Sequence, residues 1–265
     1  MASDEGYLLD NQQAQAGIRF RALALLFDPS TFRHLADLGV APGWRCWEVG
    51  AGGRGVPEWL AGRVGADGLV VATDIDTAWL GEPDGPLQVR RHDVGLEGAP
   101  ADGLDLVHAR LVLTHVPQRE QALASMVSAL RPGGWLLLEE ADPGLQPLLC
   151  PDEHGPAERL ANRLRRGFRT LMAGRDADLA LGRTLPRLLR ERGLADVAAD
   201  AYFPISSPAC TALEIATVEQ IRERLVVGGV ATAAEVEEHL DNLAAGRLPD
   251  LATSPLVSAW GRRRH

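Results

Sequence analysis

The sequence predicts an α/β fold, a seven-stranded and mostly parallel sheet with helices on both faces, N-terminal helices before it and helical lid insertions within it. Three observations predict this. Residues 44–64 read as a buried strand, a tight glycine turn and a helix. Apolar, strand-like runs then alternate with helical stretches as far as residue 142. Finally, Leu130-Arg131-Pro132-Gly133-Gly134 leads from a helix directly back into the apolar run WLLLEEAD. Strands separated by helices pair in parallel, because each connection must cross back over the sheet.

The first strand, Trp44 to Val49, is bounded by Pro42-Gly43 and ended by a glycine cluster. Val56, Trp59, Leu60 and Val64 then recur at helical spacing. Gly50, Gly52 and Gly55 allow the backbone to turn sharply and to approach a ligand closely, since no Cβ stands in the way. The helix start behind them offers N–H groups without intrahelical partners, so a nucleotide-like ligand is expected here. The glycines alone would suit a dinucleotide equally well. Glu48, two positions before the first glycine at the strand's carboxyl end, suits a cation better than a pyrophosphate.

The pattern Glu48-x-Gly50-x-Gly52 resembles the first motif of the class I S-adenosylmethionine (SAM)-dependent methyltransferases. That family usually has a further glycine where Arg54 stands, and here the next glycine is Gly55. The resemblance implies a Rossmann-like fold with SAM as cofactor, held in part by Glu48, Gly50, Ala51 and Gly52.

The 265 residues suit one SAM-binding domain, with a core at about 40–142, 183–205 and 253–262. N-terminal helices fall within 1–39 and lid insertions at 143–182 and 207–252. A net charge of −9 argues against a partner bound by phosphate neutralisation, so no nucleic acid is expected. Cys46, Cys150 and Cys210 are odd in number, far apart and without a CxxC, which reads as a reduced cytoplasmic protein. No apolar run approaches the roughly 20 residues of a membrane span, and the acidic, polar N-terminus is unlike a signal peptide. All 27 basic residues are arginine, which removes Schiff-base chemistry, the P-loop lysine and a Tyr-x-x-x-Lys pair. The histidines are scattered and no acidic cluster has ligand spacing, so no metal is expected.

Along the chain, residues 11–28 and Ser30–Leu38 read as two helices, with Ser30 or Thr31 as the cap of the second. In the resembling family such helices fold over the cofactor, which makes Tyr7 and Arg19 candidates to close on SAM; the alternative is packing and solvation. The strand at residues 69–73 ends in Asp74-Ile75-Asp76. An acid about 20 positions after the glycine turn can accept from both ribose hydroxyls. The resemblance gives that role to Asp74, with Ile75 beside it, while Asp76 either assists or caps the next helix. A third strand, 87–91, ends in His92-Asp93-Val94. By resemblance Asp93 accepts from the adenine amino group and Val94 packs by the ring, with His92 at a solvated strand end.

The fourth strand, 104–111, begins with a structural Asp105, and its end, Ala109 and Arg110, is expected against the methionine moiety. Arg110 pairs there with the ligand's carboxylate, or instead with Glu48 or another local acid. His115 precedes a helix opened by Pro117 and running to Leu130. Strand five ends at Glu139, Glu140 and Asp142, facing the substrate side. Arg159, Arg163 and Arg166 line one face of an amphipathic helix, to receive an acidic substrate or simply to meet water. A helix at 183–193, a strand at 197–205, a helical insertion at 210–245 and a last strand at 255–261 complete the chain. The last two strands form the hairpin typical of the resembling family.

Methyl transfer from a sulfonium is an in-line displacement that needs alignment and desolvation more than acid–base help. A hydroxyl or phenol acceptor would need a base, for which His115 comes first, then Glu140 and His154. The chain is similar to small-molecule methyltransferases of the ubiquinone/menaquinone-biosynthesis type. This implies transfer to an O, N or C atom of a small organic acceptor, a secondary metabolite or quinone-like molecule, by a monomer or homodimer. Two alternatives stand beside it: a SAM-fold protein catalysing a non-methylating reaction, and an NAD(P)-dependent oxidoreductase. Against the second stand Glu48, the absent Tyr-x-x-x-Lys and the Pro-Gly-Gly junction.

Overall fold

A computed structural model describes residues 14–174 and 177–264. In chain order, α1 (Ala14–Asp37) is followed by β1 (Arg45–Val49), α2 (Gly55–Val64), β2 (Leu69–Asp74), β3 (Leu87–Arg91) and β4 (Leu104–Arg110). A single 3-10 turn (Leu113–His115) leads to α3 (Arg119–Ala129) and β5 (Leu130–Ala141). Then come α4 (Pro156–Ala173), α5 (Leu181–Glu191), β6 (Ala195–Tyr202), α6 (Pro208–Val227), α7 (Ala233–Ala244) and β7 (Leu256–Arg262).

The seven strands form one sheet in the order β3-β2-β1-β4-β5-β7-β6. β1 to β5 are parallel, and β7 is antiparallel to both β5 and β6. The chain order reverses between β1 and β4, and a sheet of this kind opens a crevice at the carboxyl ends of the strands at that point. Alternate residues of β1 serve opposite faces. Cys46 joins Val70, Leu106 and Leu137 under Val56, Leu60 and Val64 of α2 and Leu35 of α1. Trp47 and Val49 join Val71, Val107 and Leu138 under Leu123 and Met126 of α3 and Leu185 and Leu189 of α5. Each such fully buried leucine or valine contributes about 1.5–3 kcal/mol, which fixes both the strand register and the position of the loops above it.

The chain divides into two compact units. The sheet unit comprises Phe27–Ala141, Ala180–Tyr202 and Leu256–His265. The other comprises Asp142–Leu179, Phe203–Pro255 and the chain up to Leu26. In the latter, Leu160 and Leu164 of α4 pack with Val218, Ile221 and Leu225 of α6 and Val236 of α7. α7 is started by a capping box, in which Thr232 accepts from the Glu235 amide while the Glu235 side chain reaches back. Glu214 is buried there between Arg165, at 2.9 Å, and His239, at 3.3 Å.

The structure departs from the sequence expectations at three places. The two helices expected on either side of residue 29 are one, with Pro29 inside α1. An interior proline costs a helix about 3 kcal/mol. Here Thr31, His34 and Leu35 beyond it are all buried, and their packing outweighs the break. Thr31, expected as a cap, instead donates its hydroxyl to Glu139. The Pro-Gly-Gly junction lies inside β5 rather than before it. Leu104 pairs with Leu130 and Leu106 with Trp135, so residues 131–134 bulge out opposite Asp105 alone. Gly134 is required at that bulge, since a Cβ would stand 2.7 Å from the Leu104 carbonyl oxygen. Asp105 pins the bulge, accepting from Arg131 Nε at 2.6 Å and from the Arg45 amide at 2.7 Å. Finally, Asp76 caps no helix; its carboxylate accepts from the Ala78 amide in a turn after β2.

Candidate functional site

The loop from Gly50 to Gly55 rises from β1 at the point of reversal. Gly50 and Gly52 have φ of 59° and 61°, the left-handed region that a side chain resists. Gly50 is also crowded: a Cβ there would lie 2.4 Å from Val112 Cγ2. Arg54 occupies ordinary helical space at φ −83°, so no glycine is needed at this position. Its guanidinium bonds Glu58 and the carbonyl oxygens of Leu80 and Glu82, tying the glycine loop to the loop after β2.

Asp74 ends β2 beside this loop. Its Oδ2 accepts from the Gly52 amide at 2.9 Å and its Oδ1 from the Asp76 amide at 3.0 Å. Burial raises its pKa above the usual carboxylate range. Ile75 next to it is exposed. Asp93, half-buried after β3, accepts from the Gly95 amide, while the Val94 side chain belongs to the core with Trp47 and Leu123. His92 corrects the expectation of a solvated strand end. It is buried edge-on to Trp47, with Nε2 2.7 Å from the Gly98 carbonyl oxygen.

The carboxyl end of β4 and the turn after it flank this loop. Ala109 is buried in the sheet core. Arg110 donates to Asp28 Oδ1 at 2.7 Å and to Thr31 Oγ1 at 2.9 Å. Asp28 also abuts the glycine loop, since a Cβ on Gly55 would lie 2.4 Å from its Oδ2. His115 is exposed at the end of the 3-10 turn.

Two glutamates sit differently from the sequence expectation. Glu48, expected beside the ligand, is buried with Oε2 2.6 Å from His108 Nδ1. Glu140, expected on the substrate side as a base, is 1% exposed. It accepts from the Val112 and Leu113 amides and the Thr114 hydroxyl, and burial pushes its pKa up to about 7. Tyr7 lies outside the described residues. Arg19 is buried in the non-sheet unit and donates to Gln220, and His154 is exposed beside Glu158. Among the described residues, no group of three or more His, Cys, Asp or Glu side chains is placed to hold a metal.

A family model described as a methyltransferase domain matches residues 47–138, from β1 through β5. Residues 47–138 are thus similar to a methyltransferase domain. The methyltransferase str2 of Strobilurus tenacellus is 35% identical over 100 residues, covering 36% of this chain and 34% of that protein. The ubiquinone/menaquinone biosynthesis C-methyltransferase UbiE of Vibrio parahaemolyticus is 32% identical over 124 residues, covering 42% and 46%. The chain thus spans less than half the length of these curated relatives. Among solved structures, phosphoethanolamine N-methyltransferase 2 of Haemonchus contortus, bound to phosphomonomethylethanolamine and S-adenosylhomocysteine, superposes with a TM-score of 0.58 at 14% identity. That superposition covers 100% of this chain and 61% of that one. YjhP from E. coli superposes with a TM-score of 0.51 at 14% identity, covering 94% and 98%. These likenesses show the fold.

Within the sheet unit, the sequence reading missed the polar network on the α1 face of the sheet. His108 bridges Glu48 and Glu139, and Glu139 also accepts from Thr31 at 2.5 Å and Ser258 at 2.6 Å. His34 lies 3.4 Å from Glu139 and 2.9 Å from Asp200. A signal was present: His108 follows the apolar Leu106-Val107 and Glu139 the apolar Leu136-Leu137-Leu138, and His108 is Glu48's register partner in the neighbouring strand.

Proposed function

We propose that the protein is an enzyme that transfers a methyl group from SAM to a small organic acceptor. One observation carries the reading: a cramped glycine loop closed by Asp74 at the sheet's point of reversal, within the segment that matches the methyltransferase domain. The residues fit the cofactor. Gly50 and Gly52 leave a Cβ-free cradle, Asp74 supplies a carboxylate for ribose hydroxyls, and exposed Ile75 offers an apolar surface to the adenine. Asp93 accepts from the adenine amino group, with Val94 lending its backbone because its side chain is committed to the core. Glu48 and Arg110 act through their partners, His108 and Asp28, which hold the floor of the site.

SAM, when bound, supplies an activated methyl group on a sulfonium. The chain's own residues align the acceptor and exclude water, and where the acceptor is a hydroxyl or phenol, His115 takes its proton at the exposed end of the 3-10 turn. We assign acceptor choice to the insertions at 143–182 and 207–252, which lie outside the matched segment. A quinone-like molecule or secondary metabolite is the proposed class, in keeping with the UbiE relatives. The three cysteines are free and buried, which supports a reducing, cytoplasmic setting. The net charge of −9 supports a small molecule over a nucleic acid. Incubating the protein with SAM and panels of phenols and quinols, and following S-adenosylhomocysteine release, tests the reading. Release with no member of a broad panel, despite tight cofactor binding, would favour a non-methylating reaction.

A further inference from the structure

We infer that Glu140 is a positioning residue: its carboxylate clamps residues 112–114 so that Val112 seats over Gly50 and fixes the wall of the cofactor mouth. This rests on the cofactor reading above and adds to it a residue that need not touch the ligand.

Three observations converge. Leu111, directly after β4, has φ of 59°, a conformation that a leucine adopts only when its surroundings enforce it. It throws the chain sharply out of the sheet, and the Leu111 amide is caught by the Glu139 carbonyl oxygen of the neighbouring strand at 2.8 Å. The next three donors then point to one side chain. Glu140 Oε1 accepts from the Val112 amide at 2.9 Å and the Leu113 amide at 2.6 Å, and Oε2 accepts from Thr114 Oγ1 at 2.9 Å. The loop so held places Val112 Cγ2 2.4 Å from where a Gly50 Cβ would be.

The same bonding argues against Glu140 as a general base. A carboxylate with both oxygens occupied and 1% exposure has no path to an acceptor's proton. A pKa raised to about 7 is harmless to a clamp. Once protonated on Oε2, the carboxyl can donate to Thr114 Oγ1, which accepts as readily as it donates, while Oε1 keeps both amides. Glutamine reproduces this arrangement, with its carbonyl at Oε1 and its amide nitrogen at Oε2.

The test compares Glu140→Gln, Glu140→Ala and Thr114→Val by amide hydrogen exchange at Val112 and Leu113, and by calorimetric titration with S-adenosylhomocysteine. Glu140→Gln should leave both readouts near wild type. Glu140→Ala should speed exchange at both amides and weaken binding by roughly 10-fold or more, the scale of one or two lost charge-assisted bonds. Thr114→Val, a milder change that keeps the proposal testable if Glu140→Ala fails to fold, should weaken binding by about threefold, and wild-type binding in it would count against the clamp. The proposal is overturned if Glu140→Gln is as damaged as Glu140→Ala, since charge and not geometry would then matter. It is equally overturned if Glu140→Ala exchanges and binds like wild type. A wild-type protein that binds no S-adenosylhomocysteine would sink the cofactor reading, while the exchange data would still decide the clamp.

Discussion

Glu48, two residues before the first glycine of the Gly50–Gly55 loop, has its Oε2 2.6 Å from His108 Nδ1 in the interior of the sheet unit. The pair continues through His108 Nε2 to Glu139, at 3.3 Å, and thence to His34 and Asp200. Burial would lower the pKa of His108, but the two carboxylates outweigh it and raise the value to about 9. Burial would likewise raise Glu139, but bonds from His108 and His34 hold it well below the usual carboxylate range. A protonated imidazole between two buried carboxylates is therefore part of the floor under the glycine loop.

This has a pH signature. A histidine whose pKa is raised on folding binds its proton more tightly in the native state, so its contribution is complete below about 6.5 and is lost as the pH rises through about 9. Unfolding by denaturant should show stability falling by up to roughly 3 kcal/mol between these limits. His108→Gln should flatten that slope and lower stability at pH 6.5 by about 3–5 kcal/mol, because a buried charge partner is removed. A wild-type stability independent of pH over this window would contradict the assignment.

Gly50→Ala should injure cofactor binding without unfolding the sheet. The new Cβ meets Val112 at 2.4 Å and must adopt φ of 59°, a strain of about 1–2 kcal/mol. S-adenosylhomocysteine affinity should drop by roughly tenfold or more, and Val112→Ala in the same chain should recover part of it by opening space. No recovery in the double variant would mean that the crowding at Val112 is not what matters.

In the non-sheet unit, Arg165→Ala should strip Glu214 of its nearer partner. Glu214 is 3% exposed and is left with His239, at 3.3 Å. Removing one side of a buried pair costs about 3–5 kcal/mol. Hydrogen exchange should quicken in α4, α6 and α7 while β1 to β5 stay protected. Unchanged exchange in these helices would show that the pair adds nothing there.

The fold was legible because its signals are local. The glycine turn, the buried strands and the helical spacing of Val56, Leu60 and Val64 need no distant partner to be read. Contacts between residues far apart in sequence were not legible in this way. Pro29 announces a helix break that Thr31 and Leu35 override through burial. Glu48 looks like a ligand for a cation, and within the chain its partner is His108, 60 residues away. Glu140 looks like a spare base until Val112, Leu113 and Thr114 are seen to converge on it. Arg110 bonds Asp28, a residue marked in the sequence only by standing before a proline.

Cofactor binding is tested by calorimetric titration of the protein with S-adenosylhomocysteine, with NADH as control, repeated on Asp74→Ala. The account predicts micromolar binding to wild type, none to NADH, and loss of binding in the variant, which removes the acceptor for ribose and for the Gly52 amide together. Clear binding of NADH with no response to S-adenosylhomocysteine would contradict it.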